Sequence, residues 1–251
     1  MPEGYGLQAF DVLDSTNEEA KRQATAGATP PLWIMAREQS SGRGRRGREW
    51  VSERGNLFCS LLLKGEGDVV TSSQLSFVAA LAVRDVVADL VQSDSRARCK
   101  WPNDVLLDGR KVSGILLESQ AAAAKGSSVP EFVIIGIGVN LASHPQKALY
   151  PATSLNMAAG MNVTSEQALE LLASSMAYWI GRWKGDGFSV IRTAWLDKAE
   201  GLGQNITVRL PQEEFTGRFI DLDVTGGLKV ETDTGQRIIT AGDVFFAPRS
   251  S

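Results

Sequence analysis

Four arginines and three glycines occupy seven consecutive residues, Gly42-Arg43-Gly44-Arg45-Arg46-Gly47-Arg48, closed by Glu49-Trp50. Any fold for this chain must present that run as a loop. Glycine lets a backbone approach a ligand closely and take positive φ. Arginine offers planar, permanently charged forks that match phosphate and carboxylate oxygens. The run reads as a loop built to wrap a small anion. Two other readings stand beside it: a solvated basic loop, and a nucleic-acid contact in which cations neutralise phosphates. The net charge of −3 and the absence of a second such run weigh against the nucleic acid.

With 251 residues, 43% hydrophobic and 22% charged, the chain has the composition of a globular protein with one large domain or a medium and a small one. Its most apolar stretch, residues 74–91, is interrupted by Arg84, Asp85 and Asp89 and does not read as a membrane span. Residues 1–10 lack the basic start and apolar core of a signal peptide. Cys59 and Cys99 are the only cysteines, which argues against a disulfide framework or a zinc site and leads us to expect a cytosolic protein. His144 is the only histidine, so a histidine base or a two-histidine metal site is poorly supported. Electrostatic catalysis by Arg, Lys and Mg²⁺ suits the inventory better.

Residues 7–13 read as a first strand. Asp14-Ser15-Thr16-Asn17-Glu18-Glu19 then opens a helix, with Ser15…Glu18 and Thr16…Glu19 at capping-box spacing. Residues 32–36 and 56–63 read as strands, and 74–91 as a core-facing helix. Asp108-Gly109 between two apolar runs signals a hairpin. Residues 120–130 look like a mobile connection, 131–141 a strand, 164–183 a helix boxed by Thr164 and Gln167, and 188–199 one more helix. Beyond Leu202 five short strands fall within some fifty residues, which suggests a small β-barrel after a boundary near Gly201.

Three further places carry chemistry. Ser15-Thr16-Asn17 can be a plain helix cap or a set of hydroxyl and amide groups for a neutral polar ligand head. Strand alternation puts Lys111 on one face with Ser113, Ile115 and Leu117, as a functional cation or as a lysine snorkelling to water. On 131–141 the same alternation aligns Phe132, Ile134, Gly136, Gly138 and Asn140, and two strand glycines mark a close approach of ligand or backbone. Gly136-Ile137-Gly138 lacks the third glycine of a dinucleotide fingerprint. Asn140 can read an adenine edge or bond a loop backbone.

In this order Asp14-Ser15-Thr16-Asn17, Gln39 with the Arg/Gly run through Trp50, Lys100-Trp101-Pro102-Asn103-Asp104, Arg110-Lys111 with Gly114-Ile115-Leu116, and Gly136-Ile137-Gly138-Val139-Asn140 resemble the biotin protein ligases across nearly the whole chain. The resemblance implies an α/β (α+β) catalytic domain over residues 1–200, of the fold shared with class II aminoacyl-tRNA synthetases and lipoate ligases. Its helices would pack mainly on one sheet face, and an SH3-like β-barrel would occupy 201–251. The chain starts at the first catalytic strand, without the winged-helix DNA-binding domain of some members, so specific DNA binding is not expected.

That resemblance also implies a reaction: biotin and MgATP give biotinyl-5′-AMP and pyrophosphate, and a lysine of a biotin carboxyl carrier protein then attacks the anhydride. Such chemistry brings two anions together and needs positive groups rather than an enzyme nucleophile. By resemblance Ser15, Thr16, Asn17 and Gln39 bind the biotin head, Arg43, Gly44 and Arg45 fold over its tail and the adenylate, and Gly114 is a further biotin-binding residue. Lys111 contacts the carboxyl and α-phosphate and, with Arg45, is the catalytic pair. Arg48 holds ATP phosphates, Trp50, Asn103 and Asn140 take the nucleotide, and Asp104 is the candidate Mg²⁺ ligand. A lipoate or octanoate enzyme of the same fold and a non-catalytic nucleotide- or RNA-binding module are the alternatives. A monomer or homodimer, with no membrane partner, is expected.

Overall fold

The computed structural model describes residues 1–121 and 129–246. Strand β1 (Gly6–Leu13) leads into helix α1 (Thr16–Thr25), and β2 (Leu32–Gln39) returns parallel to β1. Then follow β3 (Leu57–Lys64), the short α2 (Val69–Ser73), α3 (Leu75–Leu90), β4 (Ala97–Lys100) and β5 (Asp104–Leu107). The set is completed by β6 (Arg110–Ala121), β7 (Pro130–Val139), α4 (Leu155–Ala159), α5 (Ser165–Asp186) and α6 (Phe188–Asp197). Seven strands form one sheet in the order β1-β2-β3-β7-β6-β5-β4, antiparallel except for β1 with β2. Asp108 and Gly109, both at positive φ, turn the β5–β6 hairpin, the conformation that an Asp-Gly pair favours.

Alternation divides this sheet into two unlike faces. Trp33 and Met35, Cys59 and Leu61, and Ile135 and Ile137 point into the main core, which α3, α5 and α6 cover. The opposite face carries Ile34, Leu62 and Ile134 under α1, a small core of its own. Farther along the strands the same face is reduced to Ser60, Gly136, Gly138 and Gly114, where only Thr16 and Asn17 at the start of α1 reach down, onto Ser60 and Gly136. That bare strip is where the cavity described below opens. In α5 Thr164 Oγ1 accepts from Gln167 N at 3.2 Å and Gln167 Oε1 from Thr164 N at 3.0 Å, a complete capping box.

Four local expectations change. Ser15 makes no side-chain cap to α1; Gln39 Oε1, reaching over from β2, accepts from Thr16 N at 2.8 Å, and Glu18 and Glu19 turn to Lys21 and Arg22. In β6 a register shift opposite Val105 and Leu106 leaves Val112 as an extra residue. The bulge breaks strict alternation, so Lys111 lies beside Gly114 instead of on the Ile115 face. Of the connection expected at 120–130, Gln120 and Ala121 extend β6 and Pro130 opens β7, while 122–128 lie outside the described residues.

The last change is the C-terminal barrel. Strands β8 (Asn205–Arg209), β9 (Glu214–Leu222), β10 (Leu228–Thr232), β11 (Gly235–Ile239) and β12 (Asp243–Phe246) form an open antiparallel sheet, ordered β11-β10-β9-β8-β12. Closure would require the two outer strands to pair, and β11 and β12 remain edges among the described residues. The sheet has another way to bury its apolar face. Val208, Phe219, Leu222 and Val230 join the same core as α3 and α6, so no barrel interior is needed. Trp101 Nε1 donates to Gly226 O at 3.1 Å, and Arg192 Nε to Leu222 O at 2.9 Å, which pins this sheet to the residues before it.

Gly226 sits at φ +93° with the Phe77 ring only 2.5 Å from where a Cβ would lie. Gly226→Ala is expected to destabilise the protein by roughly 2–4 kcal/mol, from overpacking plus left-handed strain. Gly181→Ala, in α5 with nothing within 4 Å of the new methyl, is expected to stabilise by up to about 1 kcal/mol. Urea midpoints of the two variants should move in opposite directions.

Candidate active site

The Arg/Gly run folds back on itself. Gly44 N donates to Arg48 O at 2.7 Å and Trp50 N to Gly42 O at 2.9 Å, around a turn at Arg46 (φ 57°) and Gly47 (φ 70°). Gly42 is obligatory here, because a Cβ would lie 2.4 Å from Ser52 Oγ and 2.5 Å from Trp50 O. The fold-back brings the Trp50 indole against β6 and β7. A Cβ on Gly138 would meet the indole at 2.5 Å and one on Gly114 at 2.9 Å. Trp50 Nε1 is buried without a hydrogen-bond partner among the described residues.

Two residues back along β7, on the same face, Gly136 leaves the same kind of gap for Asn17, whose Oδ1 would lie 2.3 Å from a Cβ there. Asn17, Ser15 and Thr16 are all buried at the start of α1. Ser60 Oγ lies within hydrogen-bond distance of Asn17 Oδ1 (2.6 Å) and Thr16 Oγ1 (2.8 Å), and Asn17 Nδ2 donates to Glu118 Oε2 at 2.7 Å. Gln39 Nε2 donates to Ser52 Oγ at 2.9 Å, and Ser52 Oγ to Trp50 O at 2.8 Å. A continuous polar network thus ties the α1 start to the base of the arginine loop. This end of the cavity is polar and uncharged at the Ser15, Thr16, Asn17 and Gln39 side chains.

The other end is cationic. Asp104, buried at the start of β5, holds the Lys111 ammonium at 2.6 Å and the Lys100 ammonium at 3.5 Å. Burial opposes ionisation of Asp104, but Lys111 and Lys100 outweigh it and hold the carboxyl below the usual range. Burial pushes Lys100 down, with Asp104 opposing and Lys111 adding repulsion. Lys100 also lies 4.6 Å above the Tyr150 ring, and Lys111 lies 5.2 Å from the Trp50 ring. The Lys111 backbone is clamped, its N–H donating to Pro151 O at 2.7 Å and its carbonyl accepting from Thr153 N at 2.9 Å.

Arg45 is half-buried beside this trio and donates to Asn103 Oδ1 at 3.2 Å; Asn103 Nδ2 in turn bonds Ile115 O at 2.5 Å. Arg43 pairs with Glu18, while Arg46 and Arg48 share Asp243 of the C-terminal sheet, each at 3.2 Å through Nη1. Burial works against the Asp243 carboxylate, and Arg48, Arg46 and Arg45 nevertheless hold it below its ordinary range. Asn140 is buried with its Nδ2 on Thr153 O at 3.0 Å, at the rim of the same space.

These groups enclose a cavity of about 390 Å³. Every residue to which the resemblance gave a site role lines it: Ser15, Thr16, Asn17, Gln39, Arg43, Gly44, Arg45, Arg48, Trp50, Asn103, Asp104, Lys111, Gly114 and Asn140. Sequence reasoning assigned nothing to Lys100, Tyr150, Lys147, Asp243 or Phe245, which line it as well. The signal for Lys100 is its place at the head of the Lys-Trp-Pro-Asn-Asp run. Asp243 lies 195 residues from Arg48 and carries no local signal.

Fold and cavity define an enzyme of the ligase type that handles a polyanion next to a neutral polar group. The model of the Biotin/lipoate A/B protein ligase family matches residues 9–140, and that of the Biotin protein ligase C terminal domain matches 201–247. The biotin--[acetyl-CoA-carboxylase] ligase of Paracoccus denitrificans is 43% identical over 238 residues, covering 93% of this chain and 97% of its own. The bifunctional ligase/repressor of Bacillus subtilis is 33% identical over 250 residues, 96% of this chain and 74% of its own. Among solved structures, the biotin protein ligase of Aquifex aeolicus in complex with biotin and ATP superposes with a TM-score of 0.80 at 27% identity, over 96% of this chain and 97% of that one. The chain belongs to the biotin protein ligase family.

Asp104 should be the stability keystone of the cationic end. Asp104→Asn would leave the buried Lys100 ammonium without its counter-ion, a loss expected to cost about 3–5 kcal/mol near neutral pH. The deficit against the parent should narrow as pH rises. A lysine with a folded pKa below its unfolded value binds fewer protons in the native state, so stability climbs with pH between the two. Urea unfolding of both proteins from pH 7 to 10 measures it, and a deficit independent of pH would refute this account.

Proposed function

We infer that the cycle of this ATP-dependent biotin–protein ligase, activation of biotin to biotinyl-5′-AMP and transfer to a lysine of a biotin carboxyl carrier protein, runs in this cavity. The observation that carries the assignment is the position of Lys111. It is fixed by Asp104 at 2.6 Å, over a floor of glycine, at the boundary between the neutral and cationic ends. The biotin head would sit against Ser15, Thr16, Asn17 and Gln39, whose hydroxyl and amide groups suit an uncharged polar ring. The valeryl tail would run over Gly136 and Gly114 beneath Arg43 and Gly44. Its carboxylate would then reach Lys111.

In the first step a carboxylate oxygen bonds to the α-phosphorus as the bond to the pyrophosphate oxygen breaks. Lys111 and Arg45 lower the repulsion between the two anions and stabilise charge on the α-phosphate oxygens. Arg48 and Arg46 would exchange Asp243 for the outgoing phosphates. Trp50, Asn103 and Asn140 would receive the nucleoside. In the second step the carrier amine, as the free base, attacks the acyl carbon and AMP leaves with the bonding pair. The role of this chain there is to hold the anhydride and keep water out.

Mg²⁺ would arrive as part of the MgATP substrate. The donor set does not suit a resident ion: Asp104 is one carboxylate bound between two ammoniums, and no three His, Cys, Asp or Glu residues gather among the described residues. We therefore propose Asp104 as the residue that positions Lys111 rather than as a metal ligand. Cys59 and Cys99, both buried free thiols pushed far up by burial, support the proposal of a cytosolic location.

Biotin-dependent ATP–pyrophosphate exchange tests the assignment. Exchange should require biotin, and Lys111→Ala should slow it about 10²–10³-fold while biotin affinity, measured by calorimetry, changes little. An unchanged rate would remove Lys111 from the chemistry. The floor glycines should separate the two ligands. Gly138→Ala, which displaces Trp50, should raise KM for ATP roughly tenfold, or about 1.4 kcal/mol. Gly136→Ala, which displaces Asn17, should do the same for biotin.

A further inference from the structure

Lys100 is a residue only 5% exposed in the cavity wall, and its ammonium shares Asp104 with Lys111. A buried ammonium is costly, and a hydrophobic residue of similar length would serve packing as well. Asp104 and Lys111 alone would be a neutral pair. At 2.6 Å the carboxylate would cancel most of the field that Lys111 directs at an incoming anion. Asp243, another acid on this wall, is committed to Arg46 and Arg48. Only the second ammonium, on Asp104 Oδ2, leaves the trio with a net positive charge.

We propose that Lys100 is a positioning residue for adenylation: by engaging the far oxygen of Asp104, it lets Asp104 hold Lys111 in place without neutralising it. The inference rests on the assignment of Lys111 to the first chemical step. It divides the trio into three roles, with Lys111 facing the reacting phosphate, Asp104 fixing its geometry, and Lys100 restoring the charge that this fixing would remove. A side chain of the right size without the charge does not satisfy it, whereas a charge of different shape does.

The test is single-turnover formation of biotinyl-5′-AMP by the full chain, read alongside pyrophosphate exchange. Lys100→Met should lower the adenylation rate at saturating substrates at least tenfold, with the KM values for biotin and ATP within about twofold of the parent. Lys100→Arg should keep most of the rate. The double variant Lys100→Met with Asp104→Asn should be faster than Lys100→Met alone, because the asparagine carbonyl can still accept from Lys111 and hold it while the charge that cancels its field is gone. A packing role for Lys100 predicts the reverse order, since the double variant carries two lesions. A full rate in Lys100→Met, or a double variant no faster than the single, overturns the proposal. Lys111→Ala run in parallel separates the two claims. If it is slow while Lys100→Met is not, only the role of Lys100 fails; if both are fast, the assignment of the site fails with it.

Discussion

The missing side chains of Gly114, Gly136 and Gly138 are the constraint on which the site depends. Gly114 and Gly138 are cross-strand partners in β6 and β7, and Gly136 follows on the same face. Together they open a smooth strip of backbone in the middle of a sheet whose neighbouring positions carry Ile34, Leu62 and Ile134. A strip without side chains cannot hold a helix by hydrophobic packing. It therefore ends the small core beneath α1 and leaves room for Trp50, Asn17 and a ligand. Glycine weakens a strand interior, and here the cost falls on strands flanked on both sides within a seven-stranded sheet.

Around that strip the charges are arranged by pairing rather than by number. The chain is acidic overall, yet the cavity wall carries Arg43, Arg45, Arg48, Lys100, Lys111 and Lys147. Mutual repulsion would scatter such a set. Glu18 holds Arg43, Asp104 holds Lys100 and Lys111, and Asp243 holds Arg48, one acid from α1, one from β5 and one from the C-terminal sheet. The C-terminal sheet thus has an electrostatic part in the site, and its apolar face shares a core with α3 and α6. That shared core is also why it stays open: once its inner face is covered by helices, closing into a barrel would gain no further burial.

Much of this was legible in the sequence because it is local. The Asp108-Gly109 turn, the Thr164–Gln167 box, the alternation along β7 and the Arg/Gly loop each depend on residues a few positions apart, where covalent geometry restricts the outcome. The close approaches at Gly136 and Gly138 were readable for the same reason, since a glycine inside an apolar strand marks a place where something else comes near. What came near was not readable.

Tertiary structure decided the rest. Gln39 takes over the cap of α1 from β2, a bulge in β6 swings Lys111 onto the ligand face, and Asp243 reaches the arginine loop across most of the chain. The number of C-terminal strands was plain from their turns, but closure depends on whether the two edge strands meet, and that is settled by what the sheet packs against. The sequence by itself determined which residue types face the cavity, through short-range periodicity and the resemblance they carry. Only the fold decided which charge neutralises which, because Coulomb pairing depends on distances of a few ångströms between groups that chain order leaves far apart.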